Sequence, residues 1–387
     1  MNPNQTSPNE NLRLRILGVR GIPARHGGFE TFAEKLALHL AARGWHVTVY
    51  CQQHGDGPVI EDQWHGVHRV HIPSGPDTTW ATIRFDWKAN WHASQSAGPC
   101  LTLGYNTALF NVLFRLKGIP NIINMDGIEY ARAKWGLLAR LWFRLNEWAA
   151  CRVANHLIAD HPEIKTHLRK RTHIDKITMI AYGADVLENV SEEPVRVLGL
   201  VPRQYLSVIA RPEPENSLLE IVAGFSAKPR GVKLAVLGEF DDLKSYHRAV
   251  KQAASREVVF LGAIYDRPTT QALRYHSLAY VHGHQVGGTN PSLIEALAAG
   301  NAVVAHENRF NRMVAGDQAV YFRDAESVDE ALDRLLADAV LLHEMRRASV
   351  VKCLRDYRWN AVLQAYEQLL NRYAHTRSHA ISLPLAS

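Results

Sequence analysis

Apolar residues fall in short β-branched runs separated by stretches with helical spacing. LRLRILGV is followed by a loop, a helix-patterned stretch from about Phe29 to Ala42, Gly44 as a stop, and the run HVTVY. That order predicts a strand–helix–strand unit. CLTLG, NIINMD and HLIAD are further strand-like runs with helical stretches between or after them, which predicts a mainly parallel sheet covered on both faces. A second series opens near Gln204 with YLSVIA, KLAVLG, VVFLG, AYVHG and AVVAH, again separated by helical segments. The expected fold class is therefore α/β, with two Rossmann-like doubly wound parallel sheets. The polar stretch ENVSEEPVRVLGLVPRQ, with two prolines, reads as the linker. The expected domains are residues 12–190 and 204–358, and a closing amphipathic helix over 359–374 is expected to pack back on the first domain.

Ligands of open α/β sheets bind beyond the carboxyl ends of the strands. Two such sheets facing each other would make a site between domains, so residues just after strands are the ones to weigh. HQVGGTNPSLIEALAAG, residues 284–300, follows such a strand. Asn290 can cap a helix, Pro291 suits its first turn and Gly300 its end. Gly287 and Gly288 let the backbone come close to a ligand. The unpaired N–H groups of the helix start favour an anion, most naturally phosphate. Glu295 lies about one turn in and leans back toward the amino end, where its carboxylate could accept ribose hydroxyls. The plainer alternative is a glycine-eased turn before an ordinary helix with a solvated glutamate.

GVRGIPARHGGFET repeats the design, with Gly27 and Gly28 before a helix and Arg20 and Arg25 flanking it. It is not the dinucleotide fingerprint: the glycines lack the GxGxxG spacing, and VTVYCQQ ends without the acidic residue that holds an adenosine ribose. Arg211 follows YLSVIA at a strand end, where a guanidinium could fork onto phosphate. Asp126 in NMDGIEY stands at another strand end and could orient or deprotonate an acceptor hydroxyl, although capping is the commoner role of Asp. His282 and His284 would share a strand face, but no third metal ligand is evident, which favours a structural role.

Composition narrows the partners. The 387 residues are 47% hydrophobic and 21% charged, ordinary for a globular chain of two domains. A net charge of +6 favours anions, whether phosphates, an acidic membrane face or nucleic acid. The aromatic and basic spacing of a known nucleic-acid module is absent, so no nucleic-acid partner is expected. Cys51, Cys100, Cys151 and Cys353 form no CxxC pair, which fits a reducing cytoplasm. The opening MNPNQTSPNE reads as a frayed tail rather than a secretory signal, and no apolar run reaches the ~18 residues that span a bilayer. In KWGLLARLWFRLNEW, Trp135, Leu138, Leu141, Trp142, Leu145 and Trp148 share one helical side. Such a helix could lie on a membrane interface or face the core; the LRKR run at 168–171 could be no more than a solvated patch.

Four stretches, ILGVRGIPARHGGFETFAEKL, INMDGIEYARAKW, HGHQVGGTNPSLIEALAAGN and FNRMVAGDQAVYF, together resemble the GT-B-fold retaining glycosyltransferases of family 4. Within that family the resemblance is to the branch containing bacterial rhamnosyltransferases that build cell-wall or capsular polysaccharide on lipid-linked acceptors. It runs from about Arg13 to Tyr373. It implies a cytoplasmic, metal-independent enzyme without a cofactor, at the inner membrane face, that moves a sugar from a nucleoside diphosphate to a glycan or lipid-linked saccharide. Glu295 corresponds to the residue closing the E-x7-E signature and would hold the donor ribose. Gly288, Thr289 and Asn290 would offer amides to the diphosphate, and Arg211 would neutralise it. Gly27 and Gly28 would approach the donor phosphate and acceptor. Asp126 falls near the acceptor-side catalytic position, and Ile264 and Tyr265 near the base pocket. Two positions depart from the pattern: Gly287 replaces the first glutamate of the signature, leaving His284 or Gln285 to meet the sugar, and Asn216 stands where relatives carry a phosphate-binding lysine. The rival readings are a basic membrane-surface adaptor that binds nucleotide without transferring sugar, and an NAD-dependent dehydrogenase.

Overall fold

A computed structural model describes residues 12–374 apart from 26, 77, 133 and 134. The opening MNPNQTSPNE lies outside the described residues. The chain divides into two compact units. The first holds the residues up to Tyr130, Trp135–Ala181 and the last helix from Asn360; the second holds 131–134 and Tyr182–Trp359.

The first unit runs β1 (Arg13–Leu17), α1 (Gly28–Ala41), β2 (His46–Gln53), β3 (Ile60–Trp64), β4 (Val67–Pro73), α2 (Thr79–Ala93), β5 (Cys100–Leu103), α3 (Val112–Leu116), β6 (Asn121–Asn124), α4 (Leu137–Val153), β7 (His156–Ala159), α5 (Pro162–Leu168) and β8 (Ile177–Met179). Its strands form one eight-stranded sheet in the order β3-β4-β2-β1-β5-β6-β7-β8. Only β3 runs antiparallel. β5, β6 and β7 are buried at every position, as strands covered on both faces must be. The β3–β4 hairpin was not read from the sequence. His65 and Gly66 both take positive φ in its two-residue turn, the backbone that hairpin twist demands. Asp62 stands opposite Arg69 across it and accepts from Nε at 2.7 Å and Nη2 at 2.6 Å.

The second unit runs α6 (Glu193–Val197), β9 (Tyr205–Ile209), α7 (Leu218–Ser226), β10 (Lys233–Leu237), α8 (Ser245–Gln252), β11 (Val258–Gly262), α9 (Arg267–Tyr275), β12 (Ala279–His282), α10 (Pro291–Ala298), β13 (Ala302–His306), α11 (Arg309–Ala315), β14 (Val320–Phe322), α12 (Ala325–Ala337) and α13 (Ala339–Asp356). Its six strands are all parallel, in the order β11-β10-β9-β12-β13-β14. The stretch expected to be a linker is instead part of this unit. Val195 and Leu200 are buried in a cluster with Tyr205, Ala272 and Leu273. Two apolar residues spaced for one helix turn and its exit outweigh the surrounding charges and prolines, so the boundary falls near Ala181 rather than at 190–204.

The closing helix α14 (Trp359–Ala374) belongs, after its first residue, to the first unit. Tyr366 packs its ring 4.5 Å from Phe32 of α1, and Glu367 pairs with His39 at 3.0 Å and Arg43 at 3.2 Å. All four cysteines are buried and unbridged. No helix among the described residues is long and apolar enough to cross a membrane.

Asp86 on α2 yields a prediction about pH. Burial pushes its carboxyl up to about 7, against a hydrogen bond donated by Thr107 Oγ1 at 2.9 Å. Between the ordinary carboxylate range and pH 7 the folded chain holds a proton that the unfolded chain has released, so this group removes stability as pH rises through that window. Asp86→Asn is expected to raise the melting temperature at pH 8 and to change it little at pH 4, by an amount on the order of 1–3 kcal/mol at pH 8. Calorimetric scans of both proteins at the two pH values check this.

Candidate functional site

In the second unit the strands wind outward from β9 through β10 to β11, and the chain then returns to β12 beside β9. The order reverses between β9 and β12, the place where doubly wound sheets hold ligands. Arg211 follows β9 and residues 283–290 follow β12. The two loops are fastened together. A Cβ at Gly283 would lie 2.0 Å from the Asn216 carbonyl oxygen, so only glycine allows the approach. Gln285 N–H donates to the Glu215 carbonyl at 2.9 Å and Gln285 Nε2 to Ser217 Oγ at 3.0 Å. Asn216 Nδ2 donates back to the Arg211 carbonyl at 2.8 Å. The amide at this position is therefore committed to closing the turn behind Arg211. Buried Glu215 pairs with Arg132 at 3.0 Å, and neither was singled out from the sequence.

Asn290 caps α10, its Oδ1 accepting from Ser292 N–H at 3.1 Å, with Pro291 opening the helix. Thr289 is buried and its Oγ1 accepts from Tyr182 N–H at 3.1 Å, so this hydroxyl serves the fold. A Cβ at Gly287 would meet nothing within 4 Å. Open space thus surrounds the position that the sequence resemblance aligns with a glutamate.

Glu295 is not solitary. Its Oε2 lies 2.7 Å from Arg274 Nη2, a guanidinium that is 8% exposed while the carboxylate is 37% exposed. The same Nη2 reaches Ser292 Oγ at 3.3 Å, and Ser292 in turn bonds Tyr280 Oη at 2.6 Å. Arginine thus engages one carboxylate oxygen, Oε2. Arg274 escaped the sequence reading because α9 carries nothing that marks one arginine among several.

His282 and His284 share a face, as their spacing required, and stack at 4.4 Å with 8° between planes. The His284 carbonyl accepts from Asn308 Nδ2 at 3.0 Å and Asn311 Nδ2 at 2.8 Å. Burial, then the nearby Arg132 and Arg211, pushes the His284 imidazole down to about 3. It is neutral at physiological pH and can hydrogen-bond a sugar but not neutralise a phosphate. The described residues hold no group of three or more His, Cys, Asp or Glu placed to bind a metal. Ile264 is half-buried against the cluster around Val195, and Tyr265 is exposed. Both follow β11, which β10 separates from β9.

Gly27, Gly28 and Asp126 belong to the first unit. Gly27 precedes α1 in extended conformation and gives it no side-chain cap. The loop before it is held by two carboxylates of α1: Glu30 accepts from Arg20 N–H at 3.3 Å and Glu34 from Ala24 N–H at 2.6 Å. Arg20 and Arg25 are exposed. Gln52, near the end of β2, donates to Ser74 Oγ at 3.1 Å, so the place of an adenosine-ribose acid is taken by an occupied amide. Asp126 follows β6 with φ 50°, an uncommon backbone for a non-glycine residue. Its N–H donates to Asn124 Oδ1 at 3.0 Å, and Asn124 Nδ2 donates to the buried Tyr366 hydroxyl at 2.7 Å. The closing helix thus orients Asp126 through one asparagine. After β7, His161 is fully buried and accepts at Nδ1 from Glu163 N–H at 3.1 Å, which leaves the ring proton on Nε2.

Two stability outcomes follow. Gly283→Ala forces the Asn216 carbonyl aside and is expected to cost at least about 2 kcal/mol, read as a lower melting temperature. Glu295→Ala leaves the Arg274 guanidinium buried without its acceptor, whereas Glu295→Gln keeps an oxygen in place. The glutamine variant should melt close to wild type and the alanine variant below it, by a gap on the order of 1–3 kcal/mol.

Comparison with known proteins places this geometry. Residues 26–186 match Glycosyltransferase Family 4. No curated protein matches the sequence. Among solved structures, sucrose-phosphate synthase from Thermosynechococcus elongatus is similar with a TM-score of 0.77 at 18% identity, covering 93% of this chain and 98% of that one. HepE of Anabaena, in complex with UDP, gives 0.71 at 14% identity over 93% and 100% of the two chains. An α,α-trehalose-phosphate synthase from Burkholderia xenovorans, in complex with glucose-6-phosphate, gives 0.72 at 13% identity over 93% and 100%. The fold of this chain, two parallel-sheet domains, is that of the GT-B glycosyltransferases.

Proposed function

We propose that the chain is a retaining, metal-independent glycosyltransferase that moves a sugar, rhamnose by its sequence resemblance, from a nucleoside diphosphate to a hydroxyl of a glycan or lipid-linked saccharide in surface polysaccharide synthesis. One observation carries the reading. At the strand reversal of the second unit, Arg211, the loop that leads into the capped helix α10 and the anchored carboxylate of Glu295 bring a cation, a backbone turn and a hydroxyl acceptor to the carboxyl ends of neighbouring strands and the helix after them. Those are the chemical complements of a diphosphate and a ribose.

The roles follow from the chemistry. The Gly288–Asn290 backbone and Arg211 stabilise charge building on the departing diphosphate, the place where fixed donors contribute most to rate. Glu295 holds the ribose through Oε1. Neutral His284 hydrogen-bonds the donor sugar. Ile264 and Tyr265 take the base. Gly27 and Gly28 have the role that the sequence resemblance gives them, an approach to donor phosphate. Asp126 orients the acceptor hydroxyl, and the leaving phosphate helps to take its proton. No cofactor enters this scheme.

A thermal-shift series with UDP, TDP, GDP, ADP and NAD at equal concentration tests it. One nucleoside diphosphate should raise the melting temperature, equivalent to roughly 2.7 kcal/mol at 100 times its dissociation constant. UDP is the first to try because it is bound in the HepE structure. Glu295→Gln, which keeps the Arg274 contact, should bind the same nucleotide about tenfold more weakly, the cost of a lost charge-assisted hydrogen bond. Arg211→Ala should fold normally and lose at least about 100-fold in transfer rate. A shift with NAD alone, or full activity in Arg211→Ala, would overturn the reading.

A further inference from the structure

Helix α4 is amphipathic in the wrong direction for a soluble surface. Its inward side carries Asn146, fully buried, and Glu147, 3% exposed and held by His167 at 3.0 Å and Arg171 at 2.6 Å. Its outward side carries Leu137 at 84% exposure, Leu138 at 85%, Leu141 at 64%, Leu145 and Trp148. The sequence left open whether these residues face the core, and the structure turns them to solvent. A buried carboxylate held by an imidazole and a guanidinium fixes the helix rotation, because turning the leucines inward would carry the carboxylate away from both partners.

The neighbouring helices continue the surface. On α2, Phe85 and Ala89 face the core, while Trp80, Trp87 and Trp91 are exposed at helical spacing with Arg84 between them. Trp87 packs on Phe110 at 5.3 Å, Trp142 Nε1 donates to the Asn106 carbonyl at 2.9 Å, and Lys117 lies 5.6 Å from the Trp91 ring. The segment from Asn106 to Lys117 therefore bridges α2 and α4, adding exposed Val112 and Leu116. One side of the first unit thus presents an extended apolar surface with tryptophans, larger than the isolated apolar residues expected on a monomer.

Charge identifies what fits it. Arg84, Arg115, Lys117, Arg144 and Arg152 are exposed across these helices and their connection. Among the described side chains of α2, α3 and α4 the only carboxylates are Asp86, which accepts from Thr107, and inward Glu147. Arg84 has exposed Asp56 at 3.8 Å as a weak partner. Leucines for the acyl boundary, tryptophans at headgroup level and cations without exposed acids on the same helices match an anionic bilayer surface. We propose that the α2–α3–α4 face docks the protein on membranes rich in anionic lipid. The inference is independent of the sugar-transfer reading, since none of these residues belongs to the proposed donor or acceptor site.

Co-sedimentation of the full chain with vesicles tests it, using phosphatidylcholine alone and with phosphatidylglycerol at ~0.15 M salt. Wild type should pellet with the mixed vesicles and not with phosphatidylcholine, and its tryptophan emission should shift to the blue. The pair Arg115→Glu with Arg144→Glu should lower the partition at least about tenfold. Trp80→Ser with Leu138→Ser and Leu141→Ser should abolish it. Both variants alter exposed side chains and should keep the wild-type melting temperature and nucleotide shift, which separates failure of docking from failure of the donor site. Absence of binding to anionic vesicles, unchanged binding in both variants, or a dimer in light scattering that the serine variant dissolves would each overturn the proposal, the last by assigning the face to a second copy of the chain.

Discussion

The site in the second unit rests on one steric fact: the backbone at Gly283 sits where any side chain would strike the Asn216 carbonyl. Adjacent parallel strands bring their carboxyl ends together, but loops after them ordinarily diverge around their own side chains. Removing the Cβ at Gly283 lets the loop after β12 lie against the loop after β9, and two bonds from Gln285 then hold it there. The turn behind Arg211 and the loop that leads into α10 are held together by that contact. The sheet supplies the address, and glycine supplies the closeness.

Around this contact several polar side chains are spent on holding the fold. Thr289 and Asn216 carry the residue types of ligand-binding groups yet spend their side chains on internal bonds. Asn308 and Asn311 hold the His284 carbonyl. Glu295 gives Oε2 to Arg274. A carboxylate fixed in this way meets a hydroxyl with little reorganisation, which is the condition under which preorganised polar groups are effective. The first unit uses the same device at Asp126, where a left-handed backbone is maintained by Asn124 and, behind it, Tyr366 from the far end of the chain.

The first unit also shows how one buried charge governs an exterior. Glu147 with His167 and Arg171 sets the rotation of α4, and the leucines on the other side of the helix are exposed as a consequence. Periodicity identified the apolar stripe and could not say which way it faced, since a core helix and an interfacial helix share the same moment.

What the sequence determined by itself was the class of fold and the local grammar. The ten strand runs named from it, the closing helix, and the cap at Asn290 before Pro291 all depend on neighbours within a few residues, and each stands in the structure. The resemblance added residue roles that no local rule carries. Only the tertiary structure decided the rest. Val195 and Leu200 look like linker residues until Leu273, some seventy positions on, covers them. Arg274 is one arginine among many until α9 lies beside α10. Tyr366 is a helix residue like its neighbours until its hydroxyl reaches Asn124. Each of these depends on a partner distant in the chain, and a one-dimensional pattern records periodicity and composition but not which distant groups a sheet order brings within hydrogen-bond range.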